Sequence, residues 1–167
     1  MGVAIVSATA LVTIVLRGHI CAMRTDSRLS RMLHALIHMD RLGGKATSEQ
    51  LSAMLATNPV VVRRTMAGLR RDGLVASEAG QGGGWALARP LDDITLLDIY
   101  RALGEPTLFA IGQSQDHPEC LVEQAVNGAL EETLSQAREL ISARFAAVTL
   151  GDLSRDFDDR FAAGRGA

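Results

Sequence analysis

From residue 25 onward, apolar side chains recur every three or four positions in three successive stretches, and each stretch opens on residues suited to starting a helix. Leu29, Leu33, Leu36 and Ile37, flanked by Met32, Met39 and Leu42, follow Thr25-Asp26-Ser27 and stop at Gly43-Gly44, which predicts a helix with one buried face. Thr47-Ser48-Glu49-Gln50 has the form of a capping box, and Leu51, Met54 and Leu55 supply the apolar side of the short helix behind it. Asn58 is a capping residue type, and Pro59 sits where a first helical residue needs no N–H. A third helix is therefore expected from 59 to about 72, closed by Gly73. The pattern then changes. Leu74-Val75-Ala76-Ser77-Glu78 reads as a strand, residues 79–84 as a glycine-rich tip, and Trp85-Ala86-Leu87-Ala88-Arg89-Pro90 as a returning strand that Pro90 ends.

Helix, short helix, helix, hairpin is the order of a winged helix-turn-helix. At about 100° per residue, Val62, Met66 and Leu69 share one side of the third helix and face a core, while Val60, Arg64, Ala67 and Arg71 lie opposite. Arginines beside small or apolar residues, flanked here by Arg63 and Arg70, suit a major groove: the cations meet phosphates and guanine edges, and Val60 meets a thymine methyl. A solvated helix face is the plainer reading of the same charges. The glycine tip lets backbone N–H groups approach phosphates or enter a minor groove. A nucleotide phosphate loop does not fit it, because a strand rather than a helix follows and no Lys-Ser/Thr pair is present.

Thr95 with Asp98 predicts a further capped helix through Leu103, ended by Gly104 and Pro106, with residues 107–117 connecting onward. From Glu119 to about Val148 runs the longest helical pattern, its apolar positions Val122, Val126, Leu130, Leu134, Ala137, Ile141, Phe145 and Val148 spaced by three or four. A helix of roughly 30 residues is about 45 Å long, more than one small domain covers, so this stripe is expected to pack on a second copy of the chain. The alternative is a helix lying along its own domain. Thr149–Leu153 is read as a short segment after it and Ser154–Ala167 as a flexible tail.

The first 22 residues stand apart. Met1–Leu16 is almost unbroken apolar or small sequence, short of the roughly 20 residues a spanning helix needs and without a basic stretch before it. Three readings stay open: an extension upstream of the native start, an extra element packing on the body, or membrane attachment. The domain plan is thus an N-terminal extension at 1–22, a DNA-reading domain at 23–105, a connecting segment with dimerisation helix at 106–153, and a tail at 154–167.

Composition agrees with an ordinary globular chain: 167 residues, 47% hydrophobic, 22% charged and 4% aromatic. Two cysteines do not staple a secreted scaffold, and a cytoplasmic location is expected. The net charge of −2 disfavours nucleic acid only until it is resolved along the chain. Residues 23–90 carry ten basic against five acidic side chains, and residues 91–167 carry six against fourteen. The reading half is cationic and the remainder anionic. With few aromatics to stack unpaired bases, duplex DNA is the favoured target.

These stretches resemble the Rrf-two family of bacterial winged-helix transcriptional regulators, which includes regulators of iron-sulfur assembly, the nitric-oxide response and cysteine metabolism. The resemblance is carried by residues 57–64, by Leu69-Arg70-Arg71-Asp72-Gly73-Leu74-Val75, by residues 80–90 and by residues 94–103, and covers about 23–150. Trp85 departs from the tyrosine usual there. The resemblance implies a homodimer on a pseudo-palindromic operator, acting as a repressor or an activator, with the third helix in the major groove, the wing in the minor groove and the long helix as dimer interface; repression is the favoured direction. Carried over by position, the DNA-facing residues are Asn58, Pro59, Val60, Val61, Arg63 and Arg64, with Gln81, Gly82 and Gly83 on the wing and Arg28 as a phosphate contact.

Several relatives hold an iron-sulfur cluster on three closely placed cysteines before the long helix. Only Cys120 lies in that region here, so no cluster, and no other cofactor, is expected. Cys120 stands at a helix start, where the dipole lowers a thiol pKa, which makes a redox sensor an alternative. A small buried hydrophobe is the plainer reading of such a cysteine. His34 with His38, or His117 with Cys120, falls short of the three or four ligands of a zinc site, so no metal is expected. No catalytic constellation is visible and no enzyme is expected. Double-stranded DNA and a second copy of the chain are the expected partners, with an unidentified effector or protein partner as the alternative.

Overall fold

A computed structural model describes residues 26–78, 80 and 83–164; the apolar extension at 1–22 lies outside these. Among the described residues the chain forms α1 (Arg28–Arg41), β1 (Lys45–Ala46), α2 (Ser48–Met54), α3 (Pro59–Arg71), β2 (Val75–Glu78), β3 (Gly84–Leu87), a 3-10 turn at Leu91–Asp93, α4 (Leu96–Ala102), α5 (Leu121–Ala146) and α6 (Leu150–Gly164). The architecture is the expected mainly helical winged helix with a long C-terminal helix.

Local chemistry explains the helix starts. Thr47 and Gln50 form the reciprocal capping box of α2, the Asn58 Oδ1 accepts the Val60 N–H at 2.8 Å, and Thr95 and Asp98 cap α4 in the same reciprocal way. α1 differs: Ser27 occupies the capping position without a side-chain bond, and the Asp26 carboxylate accepts the Arg28 N–H at 2.9 Å instead. Gly73, at φ +68°, turns the chain out of α3, and the Leu74 N–H closes the helix on the Leu69 carbonyl at 2.9 Å.

The hairpin is part of a three-stranded antiparallel sheet in the order β1-β3-β2. β1 pairs Lys45 with Ala86 and Ala46 with Trp85, and β2 pairs Val75 with Leu87 through Glu78 with Gly84. Lys45 Nζ reaches across β3 to the Glu78 carboxylate at 2.6 Å. The core gathers Leu36 and Met39 of α1, Leu51 of α2, Val62, Met66 and Leu69 of α3, and Ile94, Ile99 and Leu150 from beyond the sheet.

Two expectations change beyond the reading domain. The stripe read along α5 is divided: Leu134 is buried, and Phe145 stacks edge-on against Tyr100 of α4 at 5.6 Å between ring centroids. Val122 and Val126, at the start of the stripe, are exposed, as are Leu121 and Leu140 outside it, the last at 74%. The stripe is divided along its length: its first two positions are exposed, and from Leu130 onward it is buried or half-buried. The flexible tail expected from Ser154 is instead α6, which continues to Gly164. Thr149 and Asp152 cap its start, Arg155 pairs with Asp92 at 2.7 Å, and Arg41 pairs with Asp158 at 2.7 Å while covering the Phe157 ring. The abundant charges of the segment are its attachment to the domain. The starts of α4 and α6 are joined by a bridge in which the Leu96 N–H donates to the Val148 carbonyl and the Leu150 N–H to the Ile94 carbonyl.

Candidate nucleic-acid interface

The buried side of α3 decides what its other side presents. Val62, Met66 and Leu69 are fully buried, which fixes the helix rotation and leaves Val60 at 64% and Val61 at 42% exposure, with Arg63, Arg64, Arg70 and Arg71 exposed beside them. Asn58 and Pro59 stand at the start of the same helix, so six of the candidate residues, Asn58, Pro59, Val60, Val61, Arg63 and Arg64, come together on one helix. Exposed valines at a helix start leave apolar surface in water with no return from the fold, and arginines next to them give a surface both apolar and cationic.

The arginines differ in how they are held. Arg63 lies 3.5 Å from Glu49 of α2, and Arg70 donates to the Ser77 hydroxyl of β2 at 2.9 Å. Among the described residues no carboxylate lies within ion-pair distance of Arg64 or Arg71. Arg28 is bound by Asp26 at 2.6 Å, and that guanidinium holds the Asp26 carboxyl below its usual range. An exposed pair of this kind is worth only about 0–1 kcal/mol.

The wing tip follows the last pair of the β2–β3 ladder, Glu78 with Gly84. Gly83 donates its N–H to the Gly80 carbonyl at 3.0 Å, and Gly80 has φ +102°; Gln81 and Gly82 lie outside the described residues. A methyl group on Gly84 would fall 2.7 Å from the Ala46 carbonyl oxygen, so the wing root requires glycine for β1 and β3 to pair.

Arg101 escaped the reading of the sequence. It belongs to α4, which approaches α3 because Gly68 has no side chain: a methyl group there would lie 3.0 Å from the Ala102 carbonyl oxygen. Nothing in the spacing along the chain signals that approach.

Cys120 precedes α5 and is exposed rather than a buried hydrophobe. The backbone N–H groups of Glu123 and then Val122, at the open end of α5, hold its thiol below the ordinary cysteine range. The His117 backbone N–H is bound by the Glu123 carboxylate at 3.1 Å. His34 and His38 meet edge to face on α1 at 4.6 Å. Among the described residues no three histidine, cysteine or acidic side chains gather as a metal-holding group, and no helix is long and apolar enough to cross a membrane.

Comparison with known proteins agrees with this geometry. The sequence profile of the Rrf2 (Rrf-two) family, described as iron-dependent transcriptional regulators, matches residues 25–156. The chain is 34% identical over 131 residues to YwnA of Bacillus subtilis (strain 168), a candidate HTH-type transcriptional regulator; the match covers 77% of this chain and 95% of that protein. A crystal structure of a candidate DNA-binding protein is 33% identical with a TM-score of 0.59, over 76% of this chain and 98% of that one. A candidate transcriptional regulator from Lactobacillus plantarum, 24% identical, shares the fold with a TM-score of 0.67 over 79% and 90% of the two chains. The chain belongs to the Rrf2 family, and is a transcriptional regulator that binds DNA rather than an enzyme.

Proposed function

We propose that the protein is a cytoplasmic homodimeric repressor that recognises a pseudo-palindromic operator, with α3 in the major groove and the wing in the adjacent minor groove. The observation that carries this reading is the outer face of α3. Val60, Val61, Arg63 and Arg64 are exposed on a helix whose start is capped and whose rotation is set by three buried residues. Arg64 is placed to read a guanine edge or a phosphate, and Val60 to meet a thymine methyl. Arg28, Asn58, Pro59, Gln81, Gly82 and Gly83 complete the proposed interface.

The exposed apolar residues Leu121, Val122, Val126 and Leu140 of α5 support dimerisation. The helix is about 39 Å long at 1.5 Å per residue over 26 residues, enough for a continuous seam between two copies. Dimerisation sets the spacing of two recognition helices and hence the two-fold symmetry of the site.

The test is binding of the full chain to the DNA upstream of its own gene against a scrambled duplex of the same length and composition. The upstream DNA is expected to bind more tightly, Arg64→Ala to reduce that preference, and Val126→Glu with Leu140→Glu to yield a monomer in sedimentation. Equal affinity of the wild type for both duplexes would overturn the reading. An exposed thiol with a lowered pKa favours one further role, Cys120 as the sensor that sets the regulator's state.

A further inference from the structure

Beside the outer face of α3 lies a cleft of about 470 Å³ between α3 and α4, open to solvent. Four arginines line it, Arg28 of α1, Arg64 and Arg71 of α3, and Arg101 of α4, against the single carboxylate of Asp72. Gly68 forms part of its wall, and the Arg71 guanidinium lies 3.9 Å from where a Gly68 side chain would begin. The four cations come from three separate elements, so the fold and not a run of sequence has gathered them.

Their existing partners offset the excess only in part. Arg28 is held by Asp26, and Arg101 is only loosely engaged by Glu105 at 3.9 Å. Arg64 and Arg71 have no carboxylate within ion-pair distance among the described residues. Converging like charges repel, and guanidinium groups have a planar fork that matches phosphate oxygens. The cleft is also continuous with the recognition surface, because Val61 and Arg64 belong to both. A duplex resting on the outer face of α3 brings its sugar-phosphate strand to the rim.

We propose that this cleft is a phosphate clamp for the DNA backbone, in which Arg71 and Arg101 hold the strand that flanks the major groove occupied by α3. It rests on the DNA-reading function proposed above, adds Arg101 to it and gives Arg71 a backbone role. The clamp supplies affinity and register and no base preference, since phosphates carry no sequence information.

The experiment compares wild type, the Arg71→Ala/Arg101→Ala double variant and the Arg71→Lys/Arg101→Lys double variant. Each is titrated into the upstream duplex and the scrambled duplex between 50 and 300 mM salt, on the order of the range where counterion release is resolved. Both residues are exposed, and equal thermal melting of the three proteins verifies the fold. The alanine pair is expected to reduce the slope of log K against log salt by about two, at about 0.9 for each phosphate no longer neutralised. The preference for upstream over scrambled DNA stays the same, and the lysine pair restores most of the slope.

An unchanged slope in the alanine pair overturns the clamp, and so does a loss of sequence preference, which would place these arginines on bases. Inorganic pyrophosphate, added at constant ionic strength, tests for a free anion as occupant. If pyrophosphate binds the wild type but not the alanine pair, while both bind DNA with the same salt slope, the cleft holds a soluble anion and the backbone assignment is overturned. Failure of the function itself has a different signature, equal binding of both duplexes by the wild type.

Discussion

Trp85 Nε1 donates a hydrogen bond of 3.0 Å to the Ser48 hydroxyl, with both side chains buried. The bond ties β3, the returning strand of the wing, to the first residue of α2. In the proposed function, this bond helps set the separation between the wing and the recognition helix on one duplex.

Ser48→Ala is expected to destabilise the fold by roughly 1–2 kcal/mol, because it strands a buried indole N–H. Urea unfolding followed by the emission of Trp85, the single tryptophan of the chain, measures this directly. A change below a few tenths of a kcal/mol would mean that the pair contributes nothing to docking the wing.

Ala56, in the turn between α2 and α3, has φ +46°, a left-handed conformation that costs a residue with a side chain about 1–2 kcal/mol. Ala56→Gly relieves that strain and returns about 0.5–1 kcal/mol in greater unfolded-state freedom. A net gain of up to about 1 kcal/mol in urea unfolding is expected, with DNA affinity unchanged. Destabilisation by the same substitution would contradict the strained turn.

The Asp152 carboxyl is lowered from 3.8 to about 2, first by the Thr149 backbone N–H and then by the Arg155 guanidinium and the Thr149 hydroxyl. A carboxylate with a lower pKa in the folded state adds stability above its unfolded value and loses it as pH falls through the folded one. The contribution of this cap is therefore complete at neutral pH and disappears between about pH 4 and pH 2. Thermal melting of wild type and Asp152→Asn across that range is expected to show a gap that closes toward about pH 2. A gap independent of pH would refute the role of the carboxylate.

Cys120, with its thiol lowered by the amides at the start of α5, should react with iodoacetamide at a lower pH than a cysteine in an unstructured peptide. The measurement is made on a variant in which the chain's other cysteine is replaced, Cys21→Ser, so that one thiol reports. A midpoint at or above that of the peptide would remove the basis for a sensing role.

Elements with a local cause were legible in the sequence. The Thr47-Gln50 box, the Asn58-Pro59 start and the Thr95-Asp98 cap satisfy N–H groups within four residues, and the spacing of Val62, Met66 and Leu69 sets the rotation of α3 without knowledge of its neighbours. β1 was not legible, because two residues carry no periodicity and their pairing with β3 is made about 40 residues away. α6 reads as a tail in the sequence for a related reason. Its charges resemble those of a solvated end, yet Arg41 and Asp92, the partners of Asp158 and Arg155, are more than 60 residues distant.

By itself, then, the sequence determined that α1 to α5 form, about where they start and stop, and that α3 presents Val60 and Arg64 outward, since capping and amphipathic spacing act over a single turn. The tertiary structure decided how α5 divides its apolar residues between its own domain and the outside, that Trp85 anchors the wing to Ser48, and that Arg28, Arg64, Arg71 and Arg101 share one cleft. Those relationships depend on the approach of α4 to α3 across Gly68 and on packing between residues far apart in the chain, distances that no local pattern encodes.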